Sequence, residues 1–463
     1  MAPDLHEGFV AAVREAVGDE NLRADADALI AYGQDALGQG HPPDLVVIPG
    51  STEEIAAIAR LCNEYRVPLV VRGAGTGYTG GAVPTHGGVV LSMERLNRIL
   101  EIDQVNLLAV VEPNVITADL QRAVEEVGLF YPPDPASLEM SSIGGNVAEC
   151  AGGPRAFKYG TTKRFILALQ AVLPTGEIVE TGSKAVKNVV GYDLTQLLVG
   201  SEGTLAIITR VTLRLIPKPP ARATLVAMFA DIQAAVDAVS ALLERRVVPA
   251  AIELIDADSL RAVHEHTGQD MAPAGTGAVL IIEADGTQAA VDEDIDRAAA
   301  ACRDVGAIRV SLAADDVERE QLWSLRRMVS LALKATGLLK INHDVVVPRG
   351  RVPELFAAVE ELKARYALRI ASFGHAGDGN IHVNLMVNRS DEAELARAKE
   401  AERVLFECVI ALEGSISGEH GIGFAKAPYL SMELSPDEIA LMKRVKDAFD
   451  PNGILNPGKI FPD

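Results

Sequence analysis

The chain reads as two α+β domains joined near residue 220, a class set by three observations. Apolar residues make up 48% of its 463 positions, enough to fill more than one core at about 100–200 residues per domain. Strand-sized apolar runs and helix-period segments are interleaved along the whole length rather than segregated. The pattern also changes at Pro217-Lys-Pro-Pro220. Short strands and glycine-rich loops precede that run, and longer, regularly alternating strands and helices follow it.

Residues 1–40 form a predicted helical segment, because Leu5, Phe9, Val13 and Val17 recur at every fourth position along one helix face. A buried strand is expected at 44–48. Ser51-Thr-Glu-Glu54 is a capping box opening a helix that turns Ile55, Ile58, Ala59 and Cys62 inward. Strands follow at 68–71, 88–92 and 107–111, with a glycine-rich loop over 72–81 and a helix over 117–128. Thr175-Gly176 marks a hairpin between runs at 166–173 and 177–180. A strand at 205–215 closes a first domain spanning 41–220. The second, 221–463, carries predicted strands at 225–229, 251–255, 278–283, 308–311 and 341–347. Its helices fall at 231–245, 287–304, 315–335, 351–365, 391–412 and 435–448. A histidine-bearing hairpin lies over 370–387 and a glycine-rich turn over 414–423. The sequence contains no internal repeat and no low-complexity tract.

Composition narrows the function. A formal charge of −21 leaves no excess of Lys and Arg to neutralise phosphates, which excludes a nucleic-acid binder and non-specific docking on an anionic membrane. An anionic substrate would need a local positive patch built against that field. Cys62, Cys150, Cys302 and Cys408 are scattered with no C-x-x-C pair, which excludes a zinc ribbon or an iron–sulfur cluster on a local cysteine run and fits free thiols in a reducing compartment. Met1-Ala-Pro-Asp-Leu-His-Glu7 has no basic stretch leading into an apolar one, and no apolar run approaches the ~20 residues of a membrane span. A cytoplasmic location is expected, peripheral to the inner membrane only through a partner.

The loop Arg72-Gly-Ala-Gly-Thr-Gly-Tyr-Thr-Gly-Gly81 can wrap its N–H groups around phosphate oxygens. It formally contains G-x-G-x-x-G, but a dinucleotide fingerprint requires a helix to open at the glycines. Here Ala82-Val-Pro-Thr-His-Gly-Gly88 and another strand follow, so a Rossmann, nicotinamide-dependent reading fails on context; a plain surface loop stays open. Ser141-Ser-Ile-Gly-Gly-Asn-Val-Ala-Glu-Cys-Ala-Gly-Gly153 is a second such segment, preceded by the stiff run Tyr131-Pro-Pro-Asp-Pro-Ala-Ser137, and Gly200-Ser-Glu-Gly-Thr204 is a third. Two nests joined by a rigid turn suit a long diphosphate ligand lying across both.

Together with Lys158-Tyr-Gly160, these segments resemble the FAD-binding domain of the vanillyl-alcohol-oxidase superfamily. Gly374-His-Ala-Gly-Asp-Gly-Asn-Ile-His382, Ser415-Ile-Ser-Gly-Glu-His-Gly-Ile-Gly423 and Asn456-Pro-Gly-Lys459 resemble the partner domain of the FAD-linked D-2-hydroxyacid dehydrogenases. Glycolate oxidase flavin subunits, D-lactate dehydrogenases and D-2-hydroxyglutarate dehydrogenases make up that group. The resemblance implies a two-subdomain FAD-binding domain, then an α+β substrate domain on an antiparallel sheet, with segment 450–463 returning to the flavin. It places FAD against Arg72, Gly73, Ala74, Gly75, Thr76, Gly77, Thr79 and Gly80, then Pro133, Asp134 and Ser137. Gly144, Gly145, Asn146, Gly152, Gly153, Tyr159, Gly160, Glu202, Gly203, Ile207 and Asn456 complete that set. Covalent members carry His in the first loop where this chain has Thr76, so the expected FAD is dissociable.

His375 and His382 flank a segment that must reverse direction, so their imidazoles can converge from facing strands, and His382 and Asn384 share a face. With Glu419 on another loop they make a set of two His and one carboxylate able to hold a divalent metal that binds a substrate oxygen; a structural role for each buried His is the alternative. The resemblance implies zinc or manganese. His420 is the candidate general base, since a neutral imidazole accepts an alcohol proton near neutral pH, or else it is a fourth ligand or a group just outside the ion. Arg326 and Ser330 are four residues apart on a predicted helix and share a face. The resemblance makes Arg326 the clamp for a substrate carboxylate, with Ser330, Lys340 and Asn384 around it, and leaves Arg327 at the surface.

The activity expected is flavin-dependent oxidation of a small D-2-hydroxy acid, glycolate or D-lactate, to the 2-oxo acid; D-2-hydroxyglutarate is the alternative substrate. A nicotinamide dehydrogenase and a non-catalytic flavin subunit of a larger electron-transfer complex are the rivals. With no iron–sulfur or haem motif in the chain, the electrons must pass to an external acceptor. An electron-transfer flavoprotein, a quinone, a cytochrome or an iron–sulfur partner subunit would serve, with the chain as a homodimer or as part of a complex.

Overall fold

The computed structural model describes residues 5–273 and 275–462. The chain divides into two compact units. The first is formed by residues 1–152, 161–218 and 419–463, and the second by 153–160 and 219–418. The sequence reading carries the second domain to residue 463; the observed second unit stops at Gly418, and everything beyond it belongs to the first.

Among the described residues the first unit contains three sheets, the smallest a two-stranded pairing of Leu129–Phe130 with Ile216–Pro217. One has four strands in the order Leu22–Arg23, Leu45–Val47, Val89–Ser92, Leu69–Arg72. Its last three strands run parallel, while Leu22–Arg23 adds antiparallel to Leu45–Val47. Both faces of a parallel sheet are covered, so its strands are apolar up to their last residues, Arg72 and Ser92. Leu45, Val47, Leu69, Val89 and Leu91 pack with Phe9, Val13 and Val17 of helix Glu7–Val17 and with Ile55, Ile58, Ala59 and Cys62 of helix Thr52–Tyr65. Ser51 Oγ accepts the Glu54 N–H at 3.1 Å, the first half of the expected capping box. Glu54 Oε2 accepts instead from Gly50 N at 2.7 Å, a one-residue offset from the usual box. Segment 1–40 is therefore not helical throughout: helices Glu7–Val17 and Ala26–Tyr32 flank the edge strand Leu22–Arg23.

The second sheet of this unit is five-stranded and antiparallel, in the order Ile99–Asp103, Leu108–Val111, Ile207–Arg214, Ile166–Val172, Ile178–Gly182. The predicted hairpin around Thr175-Gly176 forms its far edge. Strand Ile99–Asp103 has no clean two-residue alternation and was not legible.

The second unit is built on one seven-stranded antiparallel sheet. Its order is Arg309–Leu312, Ala221–Phe229, Ala278–Gly286, Ala251–Asp256, Arg369–His375, Asn380–Val387, Leu339–Val346. Ile255, Phe373, Ala371 and Met386 on one face pack with Ala262 and Val263 of helix Ala257–Thr267 and with Leu325, Val329 and Leu333 of helix Asp316–Ala335. Helix Ala257–Thr267 follows its strand without a loop, Asp256 capping Ser259 N at 2.8 Å, and so escaped the sequence reading. Among the described residues no helix is long and apolar enough to cross a membrane.

Candidate functional site

In the first unit the separate glycine segments meet. Strand Leu69–Arg72 delivers the loop 73–81 from the parallel sheet. There the N–H groups of Ala74, Gly75, Thr76 and Gly77 donate to nothing among the described residues, an arrangement that suits diphosphate oxygens. A Cβ on Gly73 would collide with Ser142 Oγ, so the first and second segments touch. The second segment is not a loop nest: Ser142 caps helix Ile143–Glu149 by accepting from Gly145 N at 3.3 Å. The third packs along that helix, with Gly200 N on Val147 O at 2.9 Å and Glu202 N on Ala148 O at 2.8 Å. Asn456 closes the ring, its Nδ2 donating to Gly81 O at 2.9 Å and to Glu202 O at 2.8 Å. Its Oδ1 is buried with no hydrogen-bond partner. Bared N–H groups, a buried unmatched acceptor and small residues all around fit an FAD. Pro133 is fixed beside this cluster's helix Thr117–Glu126, its carbonyl accepting from Gln121 Nε2 at 2.8 Å.

The same unit positions Glu419 and His420. Thr79, itself buried, donates Oγ1–H to His420 O at 3.0 Å, and Thr79 O accepts from Phe424 N at 3.1 Å. The His420 ring stacks on Tyr78 with centroids 5.3 Å apart, and its Nε2 lies 4.0 Å from Glu419 Oε1. A Cβ at Gly152 would sit 2.6 Å from Glu419 Oε2, so the absence of a side chain there makes room for the acid. Gly80 lies at φ +80°, and a Cβ on it would overlap the Phe424 ring; both demands select glycine.

Charge in this unit is unevenly solvated. Burial pushes Asp35 up to about 6 against the pull of Arg72 and Lys459, and burial brings Lys459 down to about 8. Glu202 accepts from Ile422 N at 2.8 Å and Gly423 N at 2.6 Å. Burial raises Glu202, and it raises the neighbouring Glu149 well above the carboxylate range with help from the Glu202 and Asp35 charges. Glu202 has N–H donors on both oxygens, which favours its charged form and opposes the upward push of burial.

The second unit gathers its chemistry on the sheet face that carries helix Asp316–Ala335. His375, at the end of strand Arg369–His375, stands opposite Glu253 in register, and Phe373 opposite His382. The His375 and His382 rings lie 5.4 Å apart and nearly perpendicular, as the reversal between them implies. Glu253, fully buried, places Oε1 2.6 Å from His375 Nδ1 and Oε2 2.5 Å from Arg326 Nη2. Burial alone would raise Glu253, but Arg326 and His375 outweigh it and hold the carboxyl below its usual range. The His382 Nδ1 is 3.7 Å from Asp344 Oδ1. Asp344 also accepts from Asn380 Nδ2 at 2.7 Å and Gly418 N at 3.0 Å, tying down the residue just before Glu419 in sequence. Two imidazoles with carboxylates on their Nδ1 sides are a donor set that fits a divalent ion.

Arg326 is buried, its guanidinium carbon 4.8 Å from the Phe373 ring centroid, and its Nε–H has no hydrogen-bond acceptor among the described residues. Its charge is balanced by Glu253. Lys340 Nζ is 2.6 Å from Ser330 Oγ, and burial, aided by Lys334, lowers it to about 7. Asn384, fully buried, donates to Ala371 O and His382 O at 3.0 Å each and leaves Oδ1 without a partner. Arg327 pairs with Glu320 on the helix surface.

Some expected FAD contacts are engaged elsewhere. Gly153, Tyr159 and Gly160 fall in the second unit. There Tyr159 OH donates to Asp285 Oδ2 at 2.7 Å, beside Lys158 on Oδ1 at 2.5 Å. Asn146 Nδ2 is taken by Thr117 Oγ1 at 2.7 Å, and the Ile207 side chain lies in the core, leaving only its backbone for a ligand. Tyr78, Glu253 and Asp344 escaped the sequence reading. Tyr78 stood inside a motif read for its glycines, Glu253 sits in an apolar strand, and Asp344 sits among other polar residues of its strand, Asn342 and His343, with nothing to single it out.

A cradle of backbone N–H groups in one unit, and buried histidines with an arginine in the other, define a flavin-dependent oxidoreductase. Residues 43–182 match the FAD binding domain, and residues 218–460 match the FAD linked oxidases, C-terminal domain. The chain belongs to the FAD-linked oxidase family. It is 43% identical over 445 residues to the glycolate oxidase subunit GlcD of Bacillus subtilis, covering 96% of this chain and 94% of that one. It is 38% identical to a D-lactate dehydrogenase of Anaerostipes hadrus, covering 99% and 98%. Its fold is similar to that of p-cresol methylhydroxylase with substrate bound, at a TM-score of 0.82 and 20% identity over 98% of this chain and 96% of that one. The 4-ethylphenol oxidase of Gulosibacter chungangensis is similar at a TM-score of 0.80 and 22% identity, covering 98% and 97%. The two-domain α+β expectation is borne out, and so is the resemblance to FAD-linked enzymes in both halves of the chain.

Proposed function

We propose that the protein oxidises a small D-2-hydroxy acid, glycolate or D-lactate, to the 2-oxo acid. The observation that carries this reading is Arg326: a buried guanidinium with an unmatched Nε–H, in a unit that also holds His375 and His382. The names of the relatives, a glycolate oxidase subunit and a D-lactate dehydrogenase, support the same substrate class. Arg326 and Lys340 hold the substrate carboxylate, with Ser330 steadying the Lys340 ammonium and Asn384 completing the pocket. Because Glu253 neutralises Arg326, net attraction for the anion falls to Lys340 and to a divalent ion, zinc or manganese, on His375, His382 and Glu419. Such an ion would supply Lewis-acid polarisation of the hydroxyl. His420 takes the hydroxyl proton, its ring held by Tyr78 and its carbonyl by Thr79. The loop 72–81, the helix opening at Ser142, the 200–204 segment and Asn456 hold a dissociable FAD, which supplies two-electron oxidation when bound.

Electrons then leave to an external acceptor, an electron-transfer protein, a quinone or a partner subunit, and the enzyme works in the cytoplasm, peripheral to the inner membrane through that partner. The test is anaerobic bleaching of the bound flavin by a panel of D- and L-2-hydroxy acids. Rapid bleaching by glycolate or D-lactate is expected. Bleaching by none of the panel, or by 2-hydroxyglutarate alone, rejects the assignment.

A further inference from the structure

Two buried groups on separate elements share one carboxylate supplied by a third element. Glu253 comes from strand Ala251–Asp256, His375 from the adjacent strand, and Arg326 from helix Asp316–Ala335. The Glu253 side chain is fully buried and its two oxygens are divided, Oε1 to His375 Nδ1 at 2.6 Å and Oε2 to Arg326 Nη2 at 2.5 Å. Arg326 is further confined by the Phe373 ring beneath it. A buried ion pair with no second purpose is commonly replaceable by apolar residues at no loss of stability. This one gives one oxygen to each of the two groups that the proposed reaction asks to be held still.

We infer that Glu253 is a positioning residue serving metal and substrate together: it fixes the tautomer of His375 and the attitude of Arg326 through a single carboxylate. The inference rests on the function proposed above. With Oε1 accepting the Nδ1 proton, the His375 imidazole carries its lone pair on Nε2, the form in which it ligates a divalent ion, and the carboxylate raises its basicity. With Oε2 on Nη2, the guanidinium cannot swing on its stem, and its Nε–H is left for the substrate carboxylate. Displacing Glu253 therefore disturbs both groups at once, although it touches neither ion nor substrate.

Glu253→Gln is the direct test, made on the full-length, flavin-loaded protein. Whichever way the amide sits, one partner meets an N–H and the other an uncharged oxygen. If the N–H faces His375, the ring must move its proton to Nε2, where it can no longer bind metal. Zinc affinity is read by competition with a chromophoric chelator. KM and kcat are read with an artificial electron acceptor, using whichever of glycolate and D-lactate the unaltered enzyme prefers. The expected result is a fall in zinc affinity of about 10–100-fold together with a KM rise of about tenfold, flavin content unchanged. Unaltered affinity and KM, or a change in only one of them, overturns the shared role.

Glu253→Asp retains the buried negative charge that Arg326 needs, so it folds even if the glutamine variant does not. Being one methylene shorter it cannot span both partners, and values for it equal to the unaltered enzyme also overturn the inference. If the unaltered protein binds no zinc and oxidises neither acid, the functional reading fails and Glu253's role with it. If it does both and the variants do too, only the Glu253 inference fails.

Discussion

The two units prepare for their ligands by opposite means. The first presents main chain: N–H groups between glycines, a helix opening at Ser142, and carbonyls bridged by Asn456. The second presents side chains on a sheet face, each steered by a buried carboxylate, His375 and Arg326 by Glu253 and Asn380 by Asp344. Backbone sites are preorganised by where the chain can turn, and they fail when a side chain is added. Side-chain sites are preorganised by charge, and they fail when a distant partner is removed.

That contrast can be broken or sharpened by experiment. The largest effect is expected at His420, which the first unit holds by its carbonyl and its stacked ring. His420→Ala should lower kcat by about 10²–10⁴-fold while the protein stays yellow; turnover within a few-fold of normal removes it from proton transfer. Next comes Gly80→Ala. The φ of +80° and the Phe424 ring leave no room for a methyl, and the strain of about 1–3 kcal/mol should release flavin on gel filtration. Full flavin retention would show that the loop yields more easily than its contacts imply.

A smaller and graded effect belongs to Lys340. Its value of about 7 lies below that of a free lysine, so the cation is present below that pH and is lost above it. KM for a carboxylate substrate should climb with pH from near 7, by about tenfold per unit once past it, with kcat less affected, and Lys340→Arg should flatten the climb. A flat KM profile in the unaltered enzyme would take Lys340 out of substrate binding. By the same sign, the folded state gains stability as pH rises from about 7 toward the ~10.4 of an unfolded lysine. The smallest effect is expected at Tyr159, whose hydroxyl is spent on Asp285. Tyr159→Phe should cost about 1 kcal/mol in chemical unfolding and leave flavin content alone. Flavin loss would restore it to the cofactor site.

What could be read from the sequence follows the same division. Backbone sites advertise themselves locally, because the residues that permit them are contiguous; loop 72–81 and the 200–204 segment were visible as glycine runs. Even there the second segment misled, since Gly144 and Gly145 sit inside a helix whose N-cap, Ser142, looked like part of a loop. The histidine pair was legible because seven positions and a forced reversal bring His375 and His382 together. Glu253 was not, lying 122 residues from His375, in a run of apolar residues that any buried strand would contain. Asp344 was hidden too, 36 residues from Asn380 and one polar residue among several in its strand. The long second-unit helices were placed within a few residues, because sustained 3.6-residue periodicity survives local noise, whereas the short strands Leu22–Arg23 and Ile99–Asp103 had too few positions to show a period.

The first unit's parallel sheet is finished by residues far away in sequence. Leu455 bridges to Leu69, Lys446 Nζ donates to Leu455 O at 2.8 Å, and Asn456 N donates to Leu69 O at 2.8 Å. The ring around the cofactor loop is thereby closed only when this distant segment docks, so a chain cut short of Asn456 would remain colourless.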